Sequence, residues 1–592
     1  MSNHLALARA LADLAGNAEQ ATAVQERGHC VVLAGPGSGK TKTLTTAMAR
    51  CLVEDVADPR GVACITYNNE CAIELETRLA ALGVSSNDRA FIGTVHSFAL
   101  TQVIMPYARC LPGLLPAEFR VASKTECRAA VEAAYAQVFN DQFDPHYRWG
   151  FAEEKRRQNV DRLLPDWRGR NPELADFIEA YEAELRRRSL IDFDDMPLIA
   201  FRMIQQHVWI RSALRARFPV LFVDEYQDLG HALHELVLLL CFAGGVRLFA
   251  VGDADQSIYG FTGANPELLQ SLVGRPDVRV VRLRFNYRSG AKIIRASLGA
   301  LGEERDYLGR DGAPDGDLFF WKVKGDVDAQ ARAIGNRILP TLLERHPAEE
   351  VAILYRAAWL GDKIATVLDA AGIPYVRTDG NALIKRSSRL ARFIEGCARW
   401  TTGGWRSADP PYSRLLSQAK ALVHGGRCCD AEEQMLSGQL IAFLRSGIAR
   451  GETTHTWLQR FGRELVAPWR SASRNPQDEW DVYSEILTRT DPAQGGDIDL
   501  HIFAGRIQGT GRVSLSTLHS AKGREFDAVI LFGMNAGAIP SQRDQKTAVS
   551  LREARRLFYV GVTRPRKELA IAYQDGSPSP WIIELYKRSQ QN

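Results

Sequence analysis

Short apolar runs that end in polar turns recur along this chain, each followed by a stretch of helical periodicity. CVVLAGPGSGKT (30–41), VACITYNN (62–69), VLFVDEYQD (220–228) and VRLFAVGDADQ (246–256) are of this kind. Near-continuous apolar runs fit strands buried on both faces of a parallel sheet, where polar residues past the carboxyl ends meet a ligand. A second set, DLFFWKV (317–323), VAILYR (351–356), VSLSTLHS (513–520) and AVILFGM (528–534), predicts a second sheet. Two stretches differ in character: 104–191 is helical and charged, and 391–507 is rich in Trp, Arg and Gly. The expected class is therefore α/β, with two parallel-sheet domains and two mainly helical insertions. The expected bounds are 1–103 with 192–277, and 278–390 with 508–592, for the domains. Residues 104–191 and 391–507 are the insertions. No internal repeat or long low-complexity tract interrupts this pattern.

Composition agrees with a folded chain of several cores: 592 residues, 45% apolar and 24% charged. The net charge of +4, from 74 basic and 70 acidic residues, is too balanced to diagnose a nucleic-acid partner. Local basic clusters at 153–170, 186–189 and 275–290 can neutralise phosphates, or can be solvated helix faces. No apolar run reaches the ~18 residues of a spanning helix, and Arg9 and Asp13 interrupt any leader-like core in MSNHLALARALADLA. The expectation is a cytoplasmic protein with no membrane partner. Ten cysteines without a CxxC pair read as reduced, packed thiols rather than a metal cluster.

Two motifs carry chemistry. In Ala34-Gly-Pro-Gly-Ser-Gly-Lys-Thr41, glycines after a strand let the backbone N–H groups of Gly37, Ser38 and Gly39 wrap a polyphosphate at a helix N-terminus. Lys40 can reach terminal phosphates and the Thr41 hydroxyl can bind Mg²⁺. In DEYQD, carboxylates follow a buried strand, where they are costly unless paired or metal-bound. Asp224 suits a Mg²⁺ shell and Glu225 the activation of an attacking water. NTP hydrolysis is the favoured reading of the pair.

The ordered set Gln20, AGPGSGKT, TYNNECAIELETRL, GTVHSF, DFDD, DEYQD, VGDADQSIYGFTGA, LRFNYRS, LSTLHSAKGREFDAVIL and EARRLFYVGVTRPRKEL resembles the UvrD/Rep/PcrA family of superfamily 1A DNA helicases. The match runs in order from residue 20 to 569 and covers both expected sheet domains. The insertions match by position only.

That resemblance implies two RecA-like P-loop NTPase domains, 1A and 2A, with insertions 1B and 2B, ATP and Mg²⁺ as cofactors, and 3′ to 5′ movement on single-stranded DNA. It implies that Gln20 reads the adenine edge, Tyr287 stacks on adenine, and Glu525 binds the ribose. Lys42 stands where an arginine commonly packs on adenine. Arg288 and Arg564 reach the γ-phosphate, which Gln256 senses, and Asp224 with Thr41 holds the metal. Expected DNA contacts are Tyr67, Asn69, Thr94, His96, Phe193, Tyr259, Phe261, Thr517 and His519. Rings at Tyr259 and Phe261 suit stacking on bases whatever their sequence.

Departures from the family pattern are Phe261-Thr262 in place of Trp-Arg, Lys42, and Glu70 in place of a lysine. They put nucleotide affinity and grip on DNA at issue. An ATP-gated DNA sensor, or a regulatory subunit of a nuclease complex with little unwinding of its own, stays open beside the helicase; a small-molecule kinase has no use for two γ-phosphate arginines. Expected partners are single-stranded DNA, single-strand/duplex junctions, and a separate nuclease or repair protein in DNA repair, recombination or phage defence. Short insertions and a chain ending soon after TRPRKEL suggest a compact translocase that unwinds weakly alone.

Overall fold

The computed structural model describes residues 2–66, 69–84, 89–111, 113–116, 118–139, 141–169, 171–258, 265–309, 315–384, 388–407, 410–424, 428–447, 452–472, 477–494, 499–504 and 511–590. The chain forms two compact units, Met1–Pro314 with Lys546–Tyr559, and Asp315–Gln545 with Val560–Asn592.

The first unit is built on β1 (His29–Ala34), β2 (Val62–Thr66), β3 (Ala90–Thr94), β6 (Val220–Val223), β7 (Arg247–Gly252) and β8 (Val278–Leu283). Between β3 and β6 in the chain, β4 (Arg120–Val121) and β5 (Leu190–Ile191) form a separate pair. The six strands run in the order β3-β2-β6-β7-β1-β8, all parallel. Alternate residues serve opposite cores. Val31, Ala63, Ile65, Leu221 and Val223 face one, and Cys30, Val32, Val62, Cys64 and Phe222 face the other. Burial on both faces is why these strands read as unbroken apolar runs. Because β6, β7 and β1 are neighbours, the polar residues after each emerge side by side at the carboxyl edge.

β8 corrects the expected boundary at 277/278. It is hydrogen-bonded to β1 along its length, from His29 opposite Val278 to Ala34 opposite Leu283. Beyond it β9 (Phe285–Asn286) pairs with β10 (Leu308–Gly309). Lys546–Tyr559, expected in the second domain, also packs with the first unit, where Arg555 Nε donates to Ala300 O at 3.1 Å.

The second unit holds β11 (Asp317–Val323), β12 (Val351–Tyr355), β13 (Tyr375–Arg377), β14 (Val513–Thr517), β15 (Phe526–Phe532) and β16 (Pro565–Gln574). Their order is β11-β16-β15-β12-β14-β13, again all parallel. Two such sheets with helices between their strands are the α/β architecture of paired RecA-like domains.

Both insertions are helical and carry their own cores. Helices Lys124–Val138, Pro145–Gln158 and Pro172–Arg187 pack around Tyr135, Trp167, Phe177 and Tyr181. Helices between Arg389 and Ala504 enclose Phe393, Trp457, Phe461, Trp469 and Trp480. Among the described residues no helix is long and apolar enough to cross a membrane.

The basic clusters are largely engaged within the protein. Arg156 and Arg162 bind Glu182, Arg186 binds Asp195, Arg187 and Arg188 bind Glu184, and Arg275 binds Asp277. The charge of these arginines is met within the protein, so clustering at 153–170 and 186–189 overstated what they offer to phosphates, whereas Arg279 and Arg282 of the third cluster are exposed.

Candidate functional site

The loop after β1 turns into the helix Lys40–Arg50 through two left-handed glycines, Gly37 at φ +69° and Gly39 at φ +84°. Neither position has room for a side chain. A Cβ at Gly37 would lie 2.6 Å from Arg288 Cβ and from Asn286 Oδ1, and one at Gly39 would lie 2.5 Å from Gln20 Nε2. The Ser38 hydroxyl donates to Gly35 O at 2.7 Å and closes the turn. Lys40 Nζ donates to Ala34 O at 3.4 Å and stands 3.8 Å from Asp253 Oδ2.

Gln20, Tyr287 and Arg288 gather around this loop. Gln20 Nε2 donates to Ser38 O at 3.0 Å, and Tyr287 N donates to Gly37 O at 2.8 Å. Asn17 holds both partners: its Oδ1 caps the helix Ala18–Gln25, and its Nδ2 donates to the Tyr287 hydroxyl at 2.6 Å. Asn286 Oδ1 accepts from Arg288 N at 2.8 Å and Ser289 N at 3.0 Å, fixing the turn that carries Arg288. The Tyr287 side chain remains exposed. Lys42 is exposed too, 3.9 Å from Asp13.

Asp224, just past β6, is buried, and its Oδ1 has no hydrogen-bond partner. Burial foremost, then the neighbouring Glu225 charge, pushes its carboxyl up to about 7, while Lys40 pulls the other way. A carboxylate in this state favours a cation, and with the Thr41 hydroxyl in the first turn of Lys40–Arg50 the oxygen donor set fits a hard ion such as Mg²⁺. Glu225 has φ 50° and ψ 48°; among the described residues only Ser189 is also a non-glycine with positive φ. Strain of about 1–3 kcal/mol at such a residue persists only where its surroundings hold it.

Gln227 is bonded to the Glu225 side chain. Wholly buried, it donates from Nε2 to Glu225 Oε2 at 2.5 Å and accepts from Asp253 N at 2.8 Å through Oε1. Asp253, raised to about 6 chiefly by burial, in turn accepts from Gln256 Nε2 at 2.5 Å. One amide thus joins DEYQD to VGDADQ. Gln227, Asp253, Asn17 and Asn286 were not singled out from the sequence. Of these, only Asn17 had a local signal, an Asx residue directly before a helix.

Other expected contacts sit near strand ends. Thr94 caps the short helix after β3 by accepting from Ser97 N. His96 lies against the exposed ring of Phe193, 5.3 Å between centroids, and burial lowers its pKa despite nearby Asp194. Tyr67, Tyr259 and Phe261 lie outside the described residues, and Asn69 is described only as the first residue of the helix Asn69–Ala81.

In the second unit, Thr517 closes the turn after β14 by accepting from Ser520 N at 3.2 Å. His519 is driven down to about 4 by burial and then by Arg356, so it is neutral near pH 7. Arg564 is buried, donating from Nε to Val560 O at 2.9 Å and from Nη1 to Arg524 O at 3.2 Å. Glu525 follows Arg524 and stands 3.8 Å from Arg566 Nη1.

Comparison with known proteins identifies the family. The model of the UvrD/REP helicase N-terminal domain matches residues 16–275, and that of the UvrD-like helicase C-terminal domain matches 499–576. DNA helicase II of Escherichia coli (strain K12) is 26% identical over 95% of this chain and 85% of its own length. The ATP-dependent DNA helicase PcrA of Leuconostoc citreum is 27% identical over 97% of this chain and 83% of its own. The ATP-dependent DNA helicase UvrD2 of Mycobacterium bovis is 25% identical over 92% and 77%. The two family models together span more than half of the sequence, and the chain belongs to the UvrD-like helicases, ATP-dependent DNA helicases of the UvrD/PcrA type.

Proposed function

We propose that the protein moves 3′ to 5′ along single-stranded DNA, hydrolysing ATP with Mg²⁺, and separates duplex at single-strand junctions. In this reading the first sheet is domain 1A and the second is 2A, with 104–191 and 391–507 as insertions 1B and 2B. The supporting observation is the buried Asp224, with its unpartnered oxygen, alongside a constrained Glu225 and the Lys40 loop. Unlike the buried acids around Arg156, Asp224 meets no arginine through that oxygen, which is what a carboxylate awaiting a cation requires.

The residues divide the work by chemistry. Gln20 presents its amide to the adenine edge, Tyr287 covers the ring face, and Lys42 flanks it. Glu525 accepts from the ribose. The N–H groups of Gly37, Ser38 and Gly39, with Lys40, hold the phosphates. Thr41 and Asp224 hold Mg²⁺, which when bound neutralises charge on the phosphate oxygens. Glu225 accepts the proton of the attacking water. Gln256 senses the γ-phosphate, and Arg288 and Arg564 contribute guanidinium charge to it.

DNA contacts are assigned to Tyr67, Asn69, Thr94, His96, Phe193, Tyr259, Phe261, Thr517 and His519. The lowered pKa values of His96 and His519 support this, because neutral imidazoles position phosphates without clamping a strand that must slide. A separate nuclease or repair protein as partner belongs to this reading on the resemblance alone.

The test is DNA-stimulated ATP hydrolysis followed by unwinding of duplexes with 3′ or 5′ tails. Unwinding from the 3′ tail alone is expected. Preference for the 5′ tail refutes the polarity, and stimulated hydrolysis with no unwinding of either favours an ATP-gated sensor.

A further inference from the structure

Each acid of the turn Asp192-Phe193-Asp194-Asp195 is held by an arginine of the helix Pro145–Gln158, while the Phe193 ring between them is 62% exposed. Arg156 is wholly buried. It donates from Nη1 to Asp192 Oδ2 at 2.7 Å, and from Nη2 to Asp192 Oδ1 at 3.1 Å and Asp195 Oδ1 at 2.6 Å. Its Nε donates to Glu182 Oε1 at 3.0 Å. Arg157 Nε donates to Asp194 Oδ2 at 2.9 Å. Asp192 and Asp195 also accept each other's backbone N–H, at 2.7 and 3.1 Å.

A buried ion cluster of this kind adds little stability over a packed apolar one, because desolvating its charges offsets their attraction. What it does supply is direction. The paired fork of a guanidinium admits few geometries, so the turn has few orientations open to it. Phe193 is left as the one side chain of the four not fixed by a charge, against His96 at 5.3 Å.

We infer that Arg156 and Arg157 are positioning residues that present the Phe193 ring to a DNA base and tie that contact to the 104–191 insertion. The inference rests on the reading of Phe193 as a DNA contact. It makes the insertion part of the grip on single strands, with the two arginines acting through the turn rather than on phosphates.

The experiment compares Arg156→Lys, Arg157→Met and Phe193→Ala in the full chain, alone and combined. Arg156→Lys keeps the charge and loses the fork. Arg157 is partly exposed, so Arg157→Met keeps the fold if Arg156→Lys does not. The readouts are the single-stranded DNA concentration giving half-maximal ATPase stimulation, and the fluorescence of 2-aminopurine in the bound strand. Phe193→Ala should raise half-saturation about fivefold or more, the loss of one stacked base. The arginine variants should raise it in the same direction, with DNA-free hydrolysis unchanged, and add nothing in the Phe193→Ala background. The 2-aminopurine signal should rise as stacking is lost. An effect of Phe193→Ala without one of the arginine variants overturns the positioning role. Losses that add independently assign the arginines their own DNA contact and overturn it too. No effect of Phe193→Ala refutes the reading of Phe193 itself.

Discussion

Replacing Gly39 by alanine should weaken ATP binding largely through Gln20, and the structure sets the size of the effect. At φ +84° an L-residue costs about 1–2 kcal/mol. The new Cβ would stand 2.5 Å from Gln20 Nε2, so that flexible amide must leave its 3.0 Å bond to Ser38 O. A buried bond of this kind contributes about 0.5–1.5 kcal/mol. Together the two come to about 1.5–3.5 kcal/mol; with the empty loop relaxing out of this strain and ATP binding restoring it, the loss is up to roughly 10- to 350-fold in affinity. In a Gln20→Ala background the clash and the bond are both gone, and only backbone strain remains. The same Gly39→Ala change should then cost about 1 kcal/mol less. Titration of a fluorescent ATP analogue into the four proteins, without DNA and at one salt and Mg²⁺ concentration, measures both steps. Equal losses in the two backgrounds would exclude Gln20 as the route, and parental affinity in Gly39→Ala would refute the steric reasoning altogether.

Glu225→Gln should bind ATP yet hydrolyse it about a hundredfold or more slowly, the usual contribution of a positioned base; near-parental turnover would remove Glu225 from that role. His234, buried and accepting or donating at Tyr226 OH and Ser271 Oγ, has its pKa pushed down to about 4 by burial and then by His231. Its folded form therefore refuses a proton that the unfolded chain takes near pH 6.5. Stability from this group is full above pH 6.5 and falls as pH drops toward 4, by about 3 kcal/mol at most. His234→Gln should flatten that part of the melting-temperature profile, and an unchanged slope would contradict the assignment.

The apolar runs determined the strands, because a strand buried on both faces has no polar alternation to hide it. VACIT and VLFV are buried at every residue, as such runs require. The phosphate-loop glycines were equally legible, since only a backbone free of side chains fits between Gln20 and Asn286. Sheet membership was not legible. VRVVRL at 278–283 stood out in the sequence only as part of a basic cluster, and hydrogen bonding to β1 is what makes it a strand of the first sheet. Nor could a count of arginines distinguish those available to phosphate from Arg156, whose charge is met by acids 26 to 39 residues away. Gln227 shows the same division. The sequence put an amide between Glu225 and Asp228 in DEYQD; the neighbouring position of β6 and β7 turned it into the link between Glu225 and Asp253. Local pattern determines which faces are buried and which backbone turns are possible. Partner choice across the chain depends on the three-dimensional ordering of strands, and that was decided only by the tertiary structure.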